Sequence, residues 1–172
     1  MTHNPHLSEL SRLLRSRYEI DKGSMDTADW ICQNTTLKNR PFSFDRYPFQ
    51  REIAADLHPN MSCVKISQVG LTEVQIRKIG AFLKRNQGCV GIFAFPDDDL
   101  LKRNSQTRIK PIIDGDEVFN MGSDKPVRSI SLMQIGQSFL HITGGNEADA
   151  TSTSADILFL DEVDLAKQAM IA

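Results

Sequence analysis

Short apolar runs separated by helical patterns are the feature that most constrains how this chain can fold. Residues 89–95 (CVGIFAF) form one such run, which Pro96 stops, and residues 156–160 (DILFL) form another. Runs of this length, bounded by turn residues, are typical of buried strands. Two further strands are predicted over residues 127–133 and 138–143. The sequence therefore predicts a sheet with buried central strands.

Helical periodicity fills the intervals between the predicted strands. From Thr72 to about Arg85, apolar residues recur at spacings of three and four, as on one face of a helix. A second helix is expected to begin near Leu100, after three aspartates that can cap it, and to end before Pro111. Strands that alternate with helices predict an α/β fold with a mainly parallel sheet flanked by helices.

Length and composition favour one domain preceded by a short arm. The chain has 172 residues, 40% of them hydrophobic, which is enough apolar material for one ordinary core. Leucines at helical spacing and interleaved arginines predict that residues 1–28 form an arm or helix. Residues 29–172 are then expected to form the main domain.

Charge, cysteine content and hydropathy exclude several classes of protein. The net charge of −2 excludes a generally basic nucleic-acid coat protein. The three cysteines are widely spaced and predict no disulfide framework, which favours a reducing compartment. No apolar run approaches the ~20 residues of a membrane-spanning helix. We therefore expect an intracellular protein that does not enter a membrane.

The stretch from Cys63 to Arg85 has the pattern of a phosphate-binding loop. A short apolar strand over residues 63–66 is expected to lead into a loop at 67–70 and then into a helix. Such a loop points backbone N–H groups at an anion, with a helix N-terminus behind them. The usual pattern is G-x-x-x-x-G-K-[ST], whereas here Lys65 replaces the first glycine and Leu71 replaces the lysine. The lysine is therefore present, but at the other end of the loop.

The acidic pair Asp161-Glu162 follows the last predicted strand. A buried strand delivers such residues to the sheet edge where ligands of open α/β sheets bind. Asp161 there can hold Mg²⁺ through its water shell, and Glu162 can orient and activate an attacking water. Taken alone, the pair also fits the surface end of an ordinary strand.

A glutamine upstream of the loop is the third feature. Gln50 lies in the sequence Tyr47-Pro48-Phe49-Gln50, at the start of a helix predicted to run to about His58. An amide offers both a donor and an acceptor, so it can pair with the edge of adenine while a neighbouring aromatic ring packs on the base. A single glutamine also fits a solvated helix face, so Gln50 indicates nucleotide binding only together with the other two features.

Together these three features resemble the ATPase module of the large terminase subunit of tailed bacteriophages, in particular the GpA type of lambda-like phages. The resemblance runs from about Trp30 to Leu165 and includes Phe95-Pro96 and the Arg108-Ile109-x-Pro111 element. It implies a P-loop NTPase fold of the ASCE-like kind, with a Walker A loop, a Walker B strand, and ATP and Mg²⁺ as cofactors. In the lambda-like branch the loop lysine stands at the beginning of the loop, as Lys65 does here.

The resemblance assigns a role to each candidate residue. Adenine would lie on Gln50, Mg²⁺ on Thr72 and Asp161, and Glu162 would be the catalytic base. The phosphates would lie along Lys65, Ser67, Gln68, Val69, Gly70, Leu71 and Thr72. The family's charge-stabilising arginine has no clear match, and Arg108 and Arg128 are the candidates.

The same resemblance implies partners and context. These are double-stranded phage DNA, the small terminase subunit, the portal protein and further copies of the large subunit in the motor, all in the host cytoplasm and none in a membrane. The family's nuclease domain follows the ATPase part, and the chain stops soon after Glu162. We therefore expect a fragment without nuclease activity, truncated after Walker B, whose sheet is incomplete and has an exposed edge.

Two other functions remain open at this point. Asp161-Glu162-Val163-Asp164 fits the D-E-x-D box of a helicase-like ATPase, although helicases keep the Gly-Lys-Thr that Leu71 interrupts. The displaced lysine would also suit a non-catalytic P-loop remnant that serves in binding or assembly. Downstream sequence and assays of ATP binding and hydrolysis separate these alternatives.

Overall fold

A computed structural model of the chain describes residues 25–66, 68–144 and 154–165. The helices in these ranges are α1 (Thr27–Asn34), α2 (Phe49–Ala55), α3 (Leu71–Arg85), α4 (Asp98–Asn104), α5 (Lys110–Gly115) and α6 (Glu117–Asn120). The strands are β1 (Thr36–Leu37), β2 (Arg40–Pro41), β3 (Val90–Phe95), β4 (Leu132–Ile135), β5 (Ser138–Gly144) and β6 (Ile157–Leu160). A π-helical turn, Ser105–Ile109, joins α4 to α5, and a 3₁₀ turn, Val163–Leu165, follows β6.

Four strands form the central sheet in the order β4-β5-β3-β6. Strand β3 pairs in parallel with both β5 and β6, so that Phe93 lies between Ile142 and Phe159. Strand β4 joins β5 as an antiparallel hairpin through the turn at Gly136. The prediction of an α/β fold with a mainly parallel sheet is confirmed, and β1 and β2 form a separate small hairpin.

Helix α3 belongs to two hydrophobic clusters at once. One side, with Ile76, Ile79 and Leu83, packs on the sheet beside Phe93 and Leu140. Gly91 permits this approach, because a Cβ there would lie 3.1 Å from Ile79 Cδ1 and 3.2 Å from Leu83 Cδ1. The opposite side packs on the N-terminal elements through Leu71, Val74, Ala81, Ala28, Ile31, Phe42, Phe44 and Ala54. The start of α3 is therefore fixed from both sides.

The strand predicted over residues 63–66 is wrong. Residues 61–66 have no regular secondary structure and join no sheet in the described part of the chain. The reason lies in which side chains turn inward. Val64 and Ile66 are exposed, and Lys65 is turned toward Asp161, whose carboxylate it contacts. An ion pair, rather than apolar burial, fixes the path of this segment.

The helix predicted to end before Pro111 continues to Gly115. The π-helical turn closes with Lys110 N–H donating to Ser105 C=O, and α5 begins at Lys110. Pro111 thus lies inside one unbroken run of helical residues, from Asp98 to Gly115, as the second residue of α5. A proline that looked like a stop signal is instead accommodated directly after a π-helical turn.

Strand β6 is an edge strand among the described residues. It pairs with β3 on one side, and Leu158 on its outward face is 56% exposed. The prediction of a fully buried strand is therefore only half right, whereas the expected exposed edge is present in this part of the chain. The predicted strand over 127–133 is also shifted, since β4 begins at Leu132.

Two further expectations concern the N-terminal arm and membrane-spanning helices. The predicted arm comprises residues 1–28, of which residues 1–24 lie outside the described residues. Helix α1 begins at Thr27. Within the three described ranges, no helix has the combined length and apolar character that spanning a bilayer requires.

We expect Gly144→Ala to destabilise the protein. A Cβ at this position would lie 2.6 Å from the carbonyl carbon and oxygen of Asp97, and backbone cannot rotate away as a side chain can. The expected loss in the free energy of unfolding is ~1–3 kcal/mol. Gly115→Ala is the matched control, because a Cβ there meets nothing within 4 Å. Urea denaturation followed by circular dichroism measures both. Equal stability of the two variants would contradict this packing.

Candidate functional site

Asp161 lies where β6 ends, at the carboxyl edge of the parallel strands. Its backbone N–H donates to the carbonyl of Ala94 in β3, 3.1 Å away, which extends the β3–β6 ladder by one residue. The side chain is only 3% exposed. A carboxylate this deeply buried is costly unless charged or polar partners surround it.

Three groups surround the Asp161 carboxylate. Lys65 Nζ donates to Oδ1 at 2.9 Å, and Thr72 Oγ1 donates to Oδ2 at 2.6 Å. The backbone N–H of Glu162 also reaches Oδ1, at 3.1 Å. The structure thus brings together a lysine before the loop, a threonine after it and an acid that follows a distant strand. The Lys65 side chain remains 26% exposed, which leaves it accessible from solvent.

Two residues of the loop between Lys65 and Thr72 have a left-handed backbone. Gln68 and Gly70 have φ angles of 62° and 71°, in the left-handed region. Val69 between them is not left-handed, and backbone of mixed handedness is common in loops that bind anions. Helix α3 begins directly afterwards at Leu71 with no side-chain cap, so its first N–H groups are available to a ligand. Ser67 lies outside the described residues.

Gln50 contacts the same loop from α2. Its Nε2 donates to the carbonyl of Val69, and the side chain lies so close to Gly70 that a Cβ there would be 3.3 Å from Nε2. This bond uses one of the two amide N–H groups. Beside it, the ring of Phe49 is half exposed and meets Tyr47 edge-on, with centroids 6.0 Å apart.

Glu162 has an unusual backbone conformation for its residue type. Its φ angle is 55°, a left-handed value that few residues other than glycine adopt, and its side chain is partly exposed. Strain of this kind is often concentrated at functional sites. Asp164, the other acid of the segment, lies exposed in the 3₁₀ turn.

The donor set at Asp161 fits Mg²⁺. Thr72 and Asp161 supply a hydroxyl and a carboxylate, and Mg²⁺ prefers hard oxygen ligands, few of them from protein and the rest from water or phosphate. The ammonium of Lys65 neutralises the carboxylate of Asp161, which a bound Mg²⁺ would otherwise neutralise. Elsewhere in the described ranges, no group of three or more His, Cys, Asp or Glu residues could hold a metal ion.

The two arginine candidates occupy different environments. Arg128 is committed to the β4 edge, where it bonds Asp114 at 2.7 Å, Asn120 at 2.6 Å and the carbonyl of Gln134. Arg108 lies exposed in the π-helical turn. The bonds of Arg128 show a structural role for it.

Sequence reasoning missed a buried lysine in α3. Lys78 is 8% exposed, and its Nζ donates to the carbonyls of Ile53 at 2.7 Å and Asp56 at 2.5 Å, at the end of α2. Burial lowers the pKa of Lys78, while Asp56 partly opposes this shift. Its position carried a signal, because Lys78 falls at helical spacing between Val74 and Ala81 on an otherwise apolar stripe.

Comparison with known proteins identifies the family. Searches of curated proteins and of solved structures each gave no match to this chain. The family described as phage terminase large subunit gpA, ATPase domain, matches residues 37–171, which include every described residue of the site. The chain therefore belongs to the phage terminase large subunit gpA family, in which it corresponds to the ATPase domain of the DNA-packaging motor.

Proposed function

We propose that the cluster around Asp161 binds and hydrolyses ATP with Mg²⁺, in a P-loop NTPase fold of the ASCE-like kind. The observation that carries the proposal is the double contact on one buried carboxylate, by Lys65 from before the loop and by Thr72 from after it. The family supports ATPase activity in general. The lysine, the hydroxyl and the carboxylate supply the charges that a bound nucleotide and its metal require.

In this proposal the loop receives the phosphates. The N–H groups of residues 68–72 turn toward the phosphate oxygens, and Lys65 exchanges the Asp161 carboxylate for a phosphate oxygen. Thr72 and Asp161 hold Mg²⁺, which neutralises phosphate charge when it is bound. Gln50 contacts the adenine edge, and the half-exposed ring of Phe49, its neighbour in the sequence, packs on the base.

Glu162 is the proposed catalytic base. It follows the metal-holding acid directly and is partly exposed, so its carboxylate can meet a water from solvent. Its left-handed backbone lies directly after β6 and Asp161. One acid then holds the metal while the other accepts a proton.

The larger assembly is proposed from the family. Residues 29–172 act as the ATPase domain and residues 1–28 as an arm. The family implies DNA and phage packaging partners in general. We propose that these include the small terminase subunit, the portal protein and other copies of the large subunit, in the host cytoplasm.

Lys65→Ala is expected to weaken ATP binding. Losing one charge-assisted phosphate contact costs ~1.5–3 kcal/mol, or about a 10- to 150-fold rise in Kd. Lys102→Ala is the control, because Lys102 is exposed on α4 and makes no contact with the site. Calorimetry with ATP and Mg²⁺ on folded protein gives both values. If the ATP affinity of Lys65→Ala equalled that of the wild type, Lys65 would not serve as the lysine of the phosphate-binding loop.

Glu162→Gln is expected to keep ATP binding and lose hydrolysis. The amide preserves shape but cannot accept the proton of the attacking water, so turnover should fall by ~10²–10⁴-fold. Asp164→Asn provides the comparison, since Asp164 is the nearest other acid and lies exposed in the next turn. Phosphate release and ATP affinity are measured for both variants. If hydrolysis stopped only in the Asp164 variant, the base would have been assigned to the wrong residue.

A further inference from the structure

The helix that carries Gln50 is too short to hold itself in place. Helix α2 has seven residues and no side-chain bond at its N-terminus. Isolated helices of this length are not stable in water, so neighbouring elements must fix its position. Its contacts include Ala54, buried against α3, and surface pairs of Arg51 with Asp26 and Asp29.

Lys78 supplies the strongest polar anchor of α2. Its ammonium bonds the carbonyls of Ile53 and Asp56 at the C-terminal end of α2, where a helix carries orphaned acceptors and partial negative charge. The group is almost fully buried, so its desolvation must be repaid by these two carbonyls. If the end of α2 moved away, the Lys78 ammonium would be buried without these partners. The position of α2 is therefore sharply defined.

The anchored helix sets the direction of the Gln50 amide. Nε2 of Gln50 donates to the carbonyl of Val69, whereas the Oε1 acceptor of the same amide bonds no described residue. Adenine presents an amino donor at its six-position, whereas guanine presents a carbonyl acceptor there. An amide fixed in this direction can pair with the adenine amino group and opposes the guanine carbonyl.

We propose that Lys78 is a positioning residue for base selection: by fixing the end of α2 from within α3, it holds Gln50 so that the site prefers adenine over guanine nucleotides. This rests on the proposed nucleotide site. Lys78 contacts the helix behind Gln50 and so acts on the base rather than on the phosphates. Removing it should reduce discrimination between bases and leave phosphate binding unchanged.

The test compares Lys78→Met with Lys84→Met in the full chain. Methionine keeps much of the volume and removes a buried charge, an exchange that proteins often tolerate. Lys84 lies on the same helix, and its Nζ also bonds a backbone carbonyl, that of Met121 at 2.7 Å, far from α2 in sequence. Calorimetry gives the Kd of each protein for ATP and for GTP in the presence of Mg²⁺.

We expect the wild type and Lys84→Met to prefer ATP, and Lys78→Met to lose about tenfold in ATP affinity with GTP affinity unchanged. If Lys78→Met had the same ratio of the Kd for GTP to the Kd for ATP as the wild type, the inference would be overturned. Equal binding of ATP and GTP by the wild type would also overturn it. Wild-type protein that bound neither nucleotide would instead refute the proposed function, and the inference with it.

A second measurement keeps the inference testable if Lys78→Met does not fold. In wild-type protein, hydrogen exchange of peptides spanning residues 49–58 should slow more with saturating ATP than with saturating GTP, because only adenine engages Gln50. Equal protection by the two nucleotides would overturn the inference.

Discussion

One buried carboxylate, that of Asp161, ties together three segments that are far apart in the sequence. Lys65 before the loop and Thr72 at the start of α3 both donate to it, and its own backbone extends the ladder between β3 and β6. Because a buried carboxylate without partners is so costly, the loop between Lys65 and Thr72 must close around this point. Two residues of this loop, Gln68 and Gly70, have left-handed φ angles.

Helix α3 connects the contacts at Asp161 to the rest of the fold. It is buried on the sheet on one side and against the N-terminal elements on the other, so its first turn cannot shift without disturbing both clusters. The same helix carries Thr72 at the site and Lys78 under α2. The proposed contacts to phosphate, metal and base are therefore positioned by a single rigid element.

The sequence predicts β3, β5 and α3 well, because their apolar patterns are dictated by burial, whereas β6 has the predicted position but is half exposed. It fails at residues 61–66, where apolar residues are exposed and an ion pair with the distant Asp161 decides the path. It also fails at Pro111, whose effect depends on whether the preceding turn is π-helical or α-helical. The position of Lys78 on an apolar stripe indicates burial, but its partners are backbone carbonyls, which no side-chain pattern reveals. Proximity of Lys65, Thr72 and Asp161 was foreseeable only through the motif.

The most direct test of the account is a crystal structure of the chain with Mg²⁺ and a non-hydrolysable ATP analogue. The account predicts that the Lys65 ammonium leaves Asp161 and contacts a phosphate oxygen, while Thr72 and Asp161 lie on the metal and the adenine amino group meets Gln50. A structure in which the phosphates bind elsewhere, with the 2.9 Å contact between Lys65 and Asp161 intact, would contradict it.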